Sequence, residues 1–424
     1  MADELVLVVH GEVIGRLTRA RGARLELVYD EEWVQRSTAT PVSSSMPLGE
    51  RRFEHDRVAP YLWGLLPDND RVLERWGREL QVSAADPFAL LSRVGEDCAG
   101  AVQYVRPERL HDLGPGGIEP LTTAQIAALI RGLRDDPTDW NGQVGPGWFS
   151  LAGAQAKTAL HRSPDGWARP FGAVPTTHIV KPAITGFDDH DLNEHLCLAA
   201  ARSVGLLAAR SQIERFDDER AVVVERYDRT VAAQVLMRVH QEDLCQALGL
   251  HPTMKYEADG GPSVAAMAAL LREELPRRAA DREVRRLIDA VLFSWLTGGT
   301  DAHAKNHSLL LSGAEVRLAP IYDVASALAY EQLHPSKLKL AMRVGGEYRL
   351  TRISGRHWRR LAEDVGLDGD GVHVRARELA ERVPDAFADA SHQREVTALG
   401  DDLPQVMTAR IADHVEACVR RLDE

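Results

Sequence analysis

Asp301 and Asn306 carry side chains suited to phosphoryl transfer, and they lie five residues apart after the helix-breaking pair Gly298-Gly299. In such a transfer one carboxylate accepts the proton of the attacking hydroxyl, while an amide oxygen at this spacing holds Mg²⁺. Spacing alone is weak evidence, because three of the four asparagines follow an aspartate by five residues. Context favours this pair: a predicted helix precedes it, strand-like runs follow, and Tyr322-Asp323 offers a second metal-binding carboxylate.

The run SLAGAQAKT at 150–158 has the small residues of a loop whose backbone N–H groups approach a phosphate. It lacks the Walker A spacing, since Ser150 and Ala156 stand where that motif has glycines. A turn into a strand explains the run about equally well, and Lys157 favours the phosphate site.

Lys181 ends the apolar run HIVK at 178–181. A lysine there either extends its charged end to solvent or holds nucleotide phosphates and pairs with a helix carboxylate. Glu194 on the next predicted helix is the candidate carboxylate, although a solvated helix face is the better interpretation of Glu194 alone.

The charged segment Glu225-Arg226-Tyr227 ends the last predicted strand of the first half of the chain. Its backbone could hydrogen-bond to the edge of an adenine at a hinge, and a solvated charged turn explains it equally well. His303 and His240 are interpreted as structural histidines, because no zinc-binding spacing or nucleophile elbow accompanies them.

Lysine is rare in this chain, at only six of 51 basic residues. Lysine is a compact point charge and arginine a planar fork, so the two are not interchangeable at a binding site. Three lysines fall inside the candidate segments, namely Lys157, Lys181 and Lys305. Lys337 and Lys339 are expected to face solvent.

Composition narrows the class of protein. The net charge of −12 argues against a protein that coats nucleic acid by bulk charge. Four widely spaced cysteines without a CxxC pair predict free thiols in a reducing cytosol. The chain shows no apolar leader and no run of 18 apolar residues, so we expect a soluble cytoplasmic protein with no membrane partner.

The elements that position these residues can be read from hydrophobic periodicity. The first thirty residues alternate as in a β-meander, and helical patterns follow. A second β-rich layer spans 150–226, and the chain beyond Met237 is mostly helical. The predicted helices lie near 58–66, 71–80, 87–94, 192–204, 241–248, 264–275 and 282–296, with strands at 308–311 and 316–318. The pattern predicts an α+β protein with a β-rich lobe, a helical lobe and a cleft.

Taken in order, these segments resemble the HipA-type serine/threonine kinases, the toxins of type II toxin–antitoxin modules. The resemblance covers almost the whole chain. It rests on TPVSSSMPL at 40–48, LLPDN at 65–69, SLAGAQAKT at 150–158, HIVK at 178–181, VERYD at 224–228, QED at 241–243, KYE at 255–257, TDAHAKN at 300–306 and YD at 322–323.

The resemblance implies a two-lobed, protein-kinase-like α+β fold and Mg²⁺-dependent transfer of the ATP γ-phosphate to a protein hydroxyl. Its parts would be an N-terminal α+β subdomain at 1–110, the rest of the N-terminal kinase lobe with the phosphate loop at 111–236, and a helical C-terminal kinase lobe with the catalytic loop at 237–424.

Matching positions imply the roles of individual residues. Asp301 would be the catalytic base, Asn306 and Asp323 would bind Mg²⁺, and Ser150 would be autophosphorylated, which expels the loop and stops activity. The ATP-binding residues would be Ala152, Gly153, Ala154, Gln155, Ala156, Lys157, Lys181, Glu225, Arg226, Tyr227, His303, Ala304, Lys305, Asn306, Tyr322 and Asp323. Ala156 departs from the Glu of several relatives, which bears on regulation more than on catalysis.

The resemblance also implies partners. The protein target would be an aminoacyl-tRNA synthetase, such as glutamyl-tRNA synthetase, and the inhibitor would be a HipB-like helix-turn-helix antitoxin. DNA would be contacted mainly through that antitoxin. Two alternatives stay open: a catalytically silent corepressor of the antitoxin, and a phosphotransferase that acts on a small molecule.

Overall fold

The chain forms two compact units, which we call the N-terminal unit and the C-terminal unit. The computed structural model describes residues 3–140, 148–184, 186–232, 235–313 and 315–424. The N-terminal unit comprises Met1–Pro182, Arg215–Pro252 and Leu309–Arg317. The C-terminal unit comprises Ala183–Glu214, Thr253–Ser308 and Leu318–Glu424. The division at 1–110, 111–236 and 237–424 stays a prediction.

The N-terminal unit opens with a five-stranded antiparallel sheet in the order β4-β3-β2-β1-β5. Its strands are β1 (Asp3–Val9), β2 (Glu12–Arg19), β3 (Leu25–Tyr29), β4 (Arg52–Glu54) and β5 (Gln103–Val105). Alternate residues of β3, namely Leu25, Leu27 and Tyr29, are buried, as expected for a sheet with one covered face. The predicted β-meander is therefore confirmed.

Four helices accompany this sheet: α1 (Glu31–Val34), α2 (His55–Gly64), α3 (Asp70–Leu80) and α4 (Pro87–Val94). Short polar side chains begin the last two. Asn69 accepts a hydrogen bond from the Arg71 amide, and Asp86 accepts one from the Ala89 amide. Apolar periodicity predicts the helices near 58–66, 71–80 and 87–94, and α2, α3 and α4 confirm them, whereas the four-residue α1 was not predicted.

A second sheet of six strands has the order β10-β11-β9-β7-β8-β6. Its strands are β6 (Gly117–Pro120), β7 (Thr158–Ser163), β8 (Gly166–Phe171), β9 (His178–Lys181), β10 (Ser211–Phe216) and β11 (Glu219–Glu225). Helix α5 (Thr123–Asp135) starts at a Thr122 capping box and buries Ile126 and Ile130 against Val223 of β11. This packing fixes the strands whose ends carry Lys181 and Glu225.

Seven further strands and one helical turn lie later in the chain. They are β12 (Arg229–Ala232), β13 (Val235–Arg238), β14 (His240–Asp243), α7 (Leu244–Ala247), β15 (Ser308–Ser312), β16 (Glu315–Leu318), β17 (Lys339–Val344) and β18 (Glu347–Arg349). Strands β14, β15 and β16 form one sheet, while β12 with β13 and β17 with β18 form two-stranded antiparallel sheets. The strands predicted near 308 and 316 are confirmed.

The C-terminal unit is mainly helical. Its helices are α6 (His190–Ser203), α8 (Val264–Glu274), α9 (Arg277–Thr297), α10 (Gly355–Asp364), α11 (Gly369–Ser391), α12 (Arg394–Thr397) and α13 (Leu403–Leu422). Helix α11 packs against α6, α10 and α13. The rings of Trp295 in α9 and Trp358 in α10 are fully buried, with centroids 5.4 Å apart. Helix α9 ends at Gly298, whose φ of +68° suits glycine, directly before the Asp301 segment.

All four cysteines are buried and carry free thiols. In the part of the chain that the structure describes, no helix has the length and hydropathy needed to cross a membrane.

Candidate active site

The phosphate loop, residues 150–157, begins at a completely buried serine. Ser150 is 0% exposed, and its Oγ donates to the Leu65 carbonyl at 2.8 Å. Its amide donates to the Asp97 carbonyl at 2.9 Å. The next side chain, Leu151, lies in the hydrophobic core of the N-terminal unit together with Leu65. The first residues of the loop are therefore held by segments more than fifty positions earlier in the sequence.

In the middle of the phosphate loop, the Lys157 side chain contacts the backbone of the same loop. Lys157 Nζ donates to the Ala152 carbonyl at 3.0 Å and lies 4.3 Å from the centroid of the Trp140 ring. Gly153 has a φ of +103°, and a Cβ at this position would lie 2.8 Å from Lys157 Nζ. Glycine is required here both by the backbone and by the close approach of the ammonium group.

The far end of the phosphate loop lies beside the end of β9. Gln155 Nε2 donates to the Pro182 carbonyl at 3.2 Å, next to Lys181. The Lys181 residue is 5% exposed, so its ammonium group is not the solvated end of a snorkelling chain. The structure thus brings together the loop residues Ala152 to Lys157 and Lys181, as the sequence predicts for phosphate binding.

The predicted adenine-side segment follows β11, where Glu225 pairs with His178 of β9. The Arg226 amide donates to the Thr177 carbonyl at 2.9 Å, and its guanidinium is buried. The Tyr227 hydroxyl donates a hydrogen bond to Gln241 Oε1. The Arg226 carbonyl accepts from the Arg229 amide at 3.2 Å, so the backbone and the side chain of Arg226 are all engaged within the protein. Contact of this segment with a nucleotide stays a prediction.

A buried ionic cluster anchors this segment. Arg226 Nη2 lies 2.8 Å from Asp228 Oδ2, and Arg229 Nη2 lies 3.0 Å from Asp97 Oδ1. Burial opposes ionisation of Asp97, yet the charges of Arg226 and Arg229 outweigh it and hold the Asp97 pKa below its ordinary value. Sequence reasoning missed Asp97, because its partners are about 130 positions away and no local motif marks them.

The catalytic loop, residues 301–306, is braced by the segment KYE at 255–257, whose role could not be derived from the sequence. The Tyr256 hydroxyl donates to Asp301 Oδ1 at 2.6 Å. The Tyr256 ring stands edge-on to the His303 ring, with centroids 4.9 Å apart. The Ala304 amide donates to the Lys255 carbonyl at 3.2 Å. Asp301 itself is exposed, as a group that meets a substrate must be.

The Asn306 side chain connects Asp301 and Asp323, the two residues whose carboxylates are predicted to act in the reaction. Its Nδ2 donates to the Asp301 carbonyl at 3.2 Å and to the Asp323 carbonyl at 3.3 Å. Because the amide nitrogen is engaged, Oδ1 is the atom that a cation would bind. Asp323 has a φ of +55°, a left-handed conformation that is strained for a residue with a side chain and is concentrated at functional sites.

Tyr322 holds the end of the catalytic loop. Its hydroxyl donates to the Lys305 carbonyl at 2.6 Å and lies 2.6 Å from Ser308 Oγ. His303, Ala304 and Lys305 are buried, so the side chains predicted to line the nucleotide are tightly packed. The neighbouring His307 is also buried, and desolvation, with a smaller effect of His303, lowers its pKa to about 4.

The structure corrects the interpretation of Glu194 as part of a solvated helix face. The residue is 1% exposed on α6, so the solvated helix face assigned to it from the sequence is wrong. Helix α6 is buried over most of its residues, and its weak amphipathicity gave no clear indication of which face was covered. The pairing of Glu194 with Lys181 stays a prediction.

The oxygen donors fit a hard divalent cation. Mg²⁺ is commonly bound through one or two side-chain oxygens, with waters and substrate phosphates as the other ligands. The Asn306 amide oxygen and the Asp323 carboxylate, predicted from the sequence as metal ligands, have this chemistry. Among the described residues, no group of three or more His, Cys, Asp or Glu side chains could form a separate metal site.

Comparison with known proteins gives the family. Residues 5–105 match the HipA N-terminal domain, and residues 149–387 match the HipA-like C-terminal domain. The chain is 35% identical to the putative kinase Y4mE of Sinorhizobium fredii, with 89% of each chain covered. It is 28% identical to the serine/threonine-protein kinase toxin HipA of Shewanella oneidensis, with 92% of this chain and 90% of that protein covered.

A solved structure agrees with this result over nearly the full length. It is a complex of HipA, HipB and operator DNA from Shewanella oneidensis MR-1, with a TM-score of 0.84 and 26% identity. The alignment covers 99% of this chain and 98% of that chain, which confirms the predicted α+β, kinase-like fold. Since both family domains match and a relative 35% identical covers 89% of the sequence, the chain belongs to the HipA family and is a kinase.

Proposed function

We propose that this protein is an ATP- and Mg²⁺-dependent serine/threonine-protein kinase and the toxin of a type II toxin–antitoxin module. The observation that carries the proposal is the Asn306 amide, which hydrogen-bonds to the backbone of both Asp301 and Asp323. One side chain thereby joins the backbones of the residues proposed as proton acceptor and as metal-binding carboxylate, an arrangement that supports phosphoryl transfer.

The binding roles follow the chemistry of each group. Backbone N–H groups of residues 152–157 and the Lys181 ammonium would hold the ATP phosphates, and the backbone at Glu225 to Tyr227 would contact the adenine. Asn306 and Asp323 would hold Mg²⁺. When bound, the ion supplies charge neutralisation at the phosphate oxygens.

The reaction needs one proton acceptor. A serine or threonine oxygen of the target forms a bond to the γ-phosphorus, the bond to the β–γ bridging oxygen breaks, and ADP leaves. Asp301 accepts the hydroxyl proton, and the Tyr256 hydrogen bond to Oδ1 orients its carboxylate. Catalysis then consists mainly of positioning and charge stabilisation, as in other phosphoryl transfers.

Autophosphorylation of Ser150 would switch the enzyme off. With Ser150 fully buried, its hydroxyl reaches no active site unless the phosphate loop leaves its place. A phosphoserine carries about −1.5 to −2 charges and would not return to a position with no exposed surface.

The partners are inferred from the family. The similar Shewanella structure contains HipB and operator DNA, which supports a HipB-like antitoxin for this chain and DNA contact mainly through it. The net charge of −12 agrees with such indirect contact. The proposed target is a protein, in particular an aminoacyl-tRNA synthetase.

The proposal is tested with purified full-length protein, ATP labelled in its γ-phosphate and Mg²⁺. We expect label on Ser150 and on the target, and growth arrest when the protein is overproduced without antitoxin. Absence of transfer from the wild-type protein, with antitoxin binding retained, would contradict the kinase function and establish the silent corepressor.

A further inference from the structure

The LLPDN segment at 65–69, which we call the loop seat, has no role in the chemistry proposed above. It contacts the phosphate loop at three successive points. The Leu65 carbonyl accepts from Ser150 Oγ at 2.8 Å, and the Asp68 amide donates to the Gly153 carbonyl at 3.0 Å. Asn69 Nδ2 lies 3.5 Å from the Ala154 carbonyl, at the outer limit of a hydrogen bond.

The loop seat is itself a fixed platform. Asn69 Oδ1 accepts from the Arg71 amide at 3.1 Å and so caps α3, while Leu65 follows the last turn of α2. A side chain that caps a helix with its oxygen and binds the loop with its nitrogen couples the loop to that helix. The phosphate loop therefore takes part of its shape from the N-terminal family domain, more than 80 residues away in sequence.

We propose that the loop seat sets the equilibrium between the bound and released forms of the phosphate loop, and that Asn69 is a positioning residue for the phosphate-binding conformation. The inference rests on the proposed function, because it assumes that residues 152–157 bind ATP phosphates and that Ser150 is the autophosphorylated serine. It assigns to the seat a role in both ATP affinity and the rate of self-inactivation.

Phosphorylation of Ser150 is expected to prevent the phosphate loop from binding to the loop seat again. In the bound form its hydroxyl donates to Leu65, and its side chain has no exposed surface. A phosphorylated oxygen has no hydrogen to donate to that carbonyl, and its charge is not accommodated at a position with no exposed surface. A weaker seat is therefore expected to speed phosphorylation of Ser150, whereas phosphorylation abolishes rebinding to the seat.

Asn69→Asp isolates the contact with the loop. The aspartate keeps an oxygen that caps α3, but it places a carboxylate, with no donor, against the Ala154 carbonyl. Thr122→Asp is the matched control, because it adds the same charge at the cap of α5, where Thr122 accepts from the Gln125 amide. Asn69→Ser, which caps equally well and adds no charge, serves as the second variant should the aspartate impair folding.

The measurement is hydrogen–deuterium exchange of full-length protein carrying Asp301→Ala, so that no phosphorylation intervenes. We expect amides within 151–157 to exchange about 3–10-fold faster with Asn69→Asp, the range given by loss of one hydrogen bond. Thr122→Asp should leave them unchanged. With Asp301 intact, Asn69→Asp should also raise the initial rate of Ser150 labelling and weaken ATP binding.

Unchanged exchange of 151–157 in both Asn69→Asp and Asn69→Ser, with the fold intact by thermal unfolding, would overturn the role of the seat. The exchange experiment needs no catalysis, so its result stands even if the kinase function fails. Faster exchange with no labelling of Ser150 in any variant would support the seat's hold on the loop and contradict its role in self-inactivation.

Discussion

The phosphate loop and the catalytic loop are held in place by different kinds of contact. The catalytic loop is braced from within the C-terminal unit, by Tyr256 on Asp301 and by Asn306 between two backbone carbonyls. The phosphate loop is braced by Leu65 and by Asp97, which lie far earlier in the sequence.

This difference has a physical meaning. Side-chain bonds that converge on one loop fix its groups before substrate arrives, as a proton acceptor and a metal ligand require. Hydrogen bonds to a separate platform can be lost together without unfolding the rest of the unit. The comparison suggests a rigid catalytic loop and a phosphate loop that can be released.

The largest expected effect is at Asp301. Asp301→Asn keeps an oxygen that can accept the Tyr256 bond but removes the proton acceptor, so the rate of transfer should fall by about 10²–10⁴-fold. Exchange of 151–157 should be unchanged, because the two loops are braced separately. Labelling assays and exchange on the same preparation check both statements, and transfer within tenfold of wild type would exclude Asp301 as the base.

Asp97→Asn tests the buried ionic cluster that anchors the segment Glu225 to Tyr227. The change leaves Arg226 and Arg229 buried with one fewer negative charge, so the free energy of unfolding should drop by about 3 kcal/mol. Asp218→Asn is the control, because Asp218 is exposed and its ion pair with Arg131 lies at the surface. A loss below about 1 kcal/mol in urea unfolding of Asp97→Asn would contradict the anchoring role.

The buried carboxyl group of Glu242 should make the stability of the N-terminal unit depend on pH. Its carboxylate accepts from the Ser44 amide at 2.8 Å and from Ser43 Oγ at 2.5 Å, and burial raises its pKa to about 7 from an ordinary value of 4.5. The folded protein thus binds this proton more tightly than the unfolded chain does. Stability should therefore fall by about 2 kcal/mol as the pH rises from 5 through 7.

Glu242→Gln should remove that part of the pH dependence and stabilise the protein at pH 8, as measured by urea unfolding at both pH values. Glu416→Gln, at an exposed carboxylate, is the control. An unchanged slope in Glu242→Gln would show that other groups are responsible.

The smallest expected effect is at Tyr256. Tyr256→Phe keeps the ring against His303 but removes the donor to Asp301, so transfer should slow by about 3–10-fold with little change in melting temperature. A rate equal to wild type would show that the Tyr256 hydrogen bond does not orient the Asp301 carboxylate.

Local features of both regions were accessible from the sequence. Alternation of apolar and polar residues predicts the β-meander, and apolar periodicity predicts α3 and α4. The sequence context favours Asp301 and Asn306 as a pair, and in the structure the Asn306 amide donates to the Asp301 carbonyl. The rarity of lysine was also informative. Lys157, Lys181 and Lys305 are each 5% exposed, whereas Lys337 and Lys339 face solvent as expected.

What could not be predicted depends on contacts across long stretches of chain. No local pattern joins Asp97 to Arg229 or Leu65 to Ser150, because those pairs meet only when the sheets and helices have packed. The burial of Glu194 has the same origin, since α6 is covered on nearly all sides.

The most direct test of the account is hydrogen–deuterium exchange of both loops in one full-length sample, before and after incubation with ATP and Mg²⁺. The account predicts that 151–157 exchanges faster once Ser150 is phosphorylated, while 301–308 keeps its slow exchange. Equal acceleration of both loops, or phosphorylation of Ser150 with no change at 151–157, would contradict it.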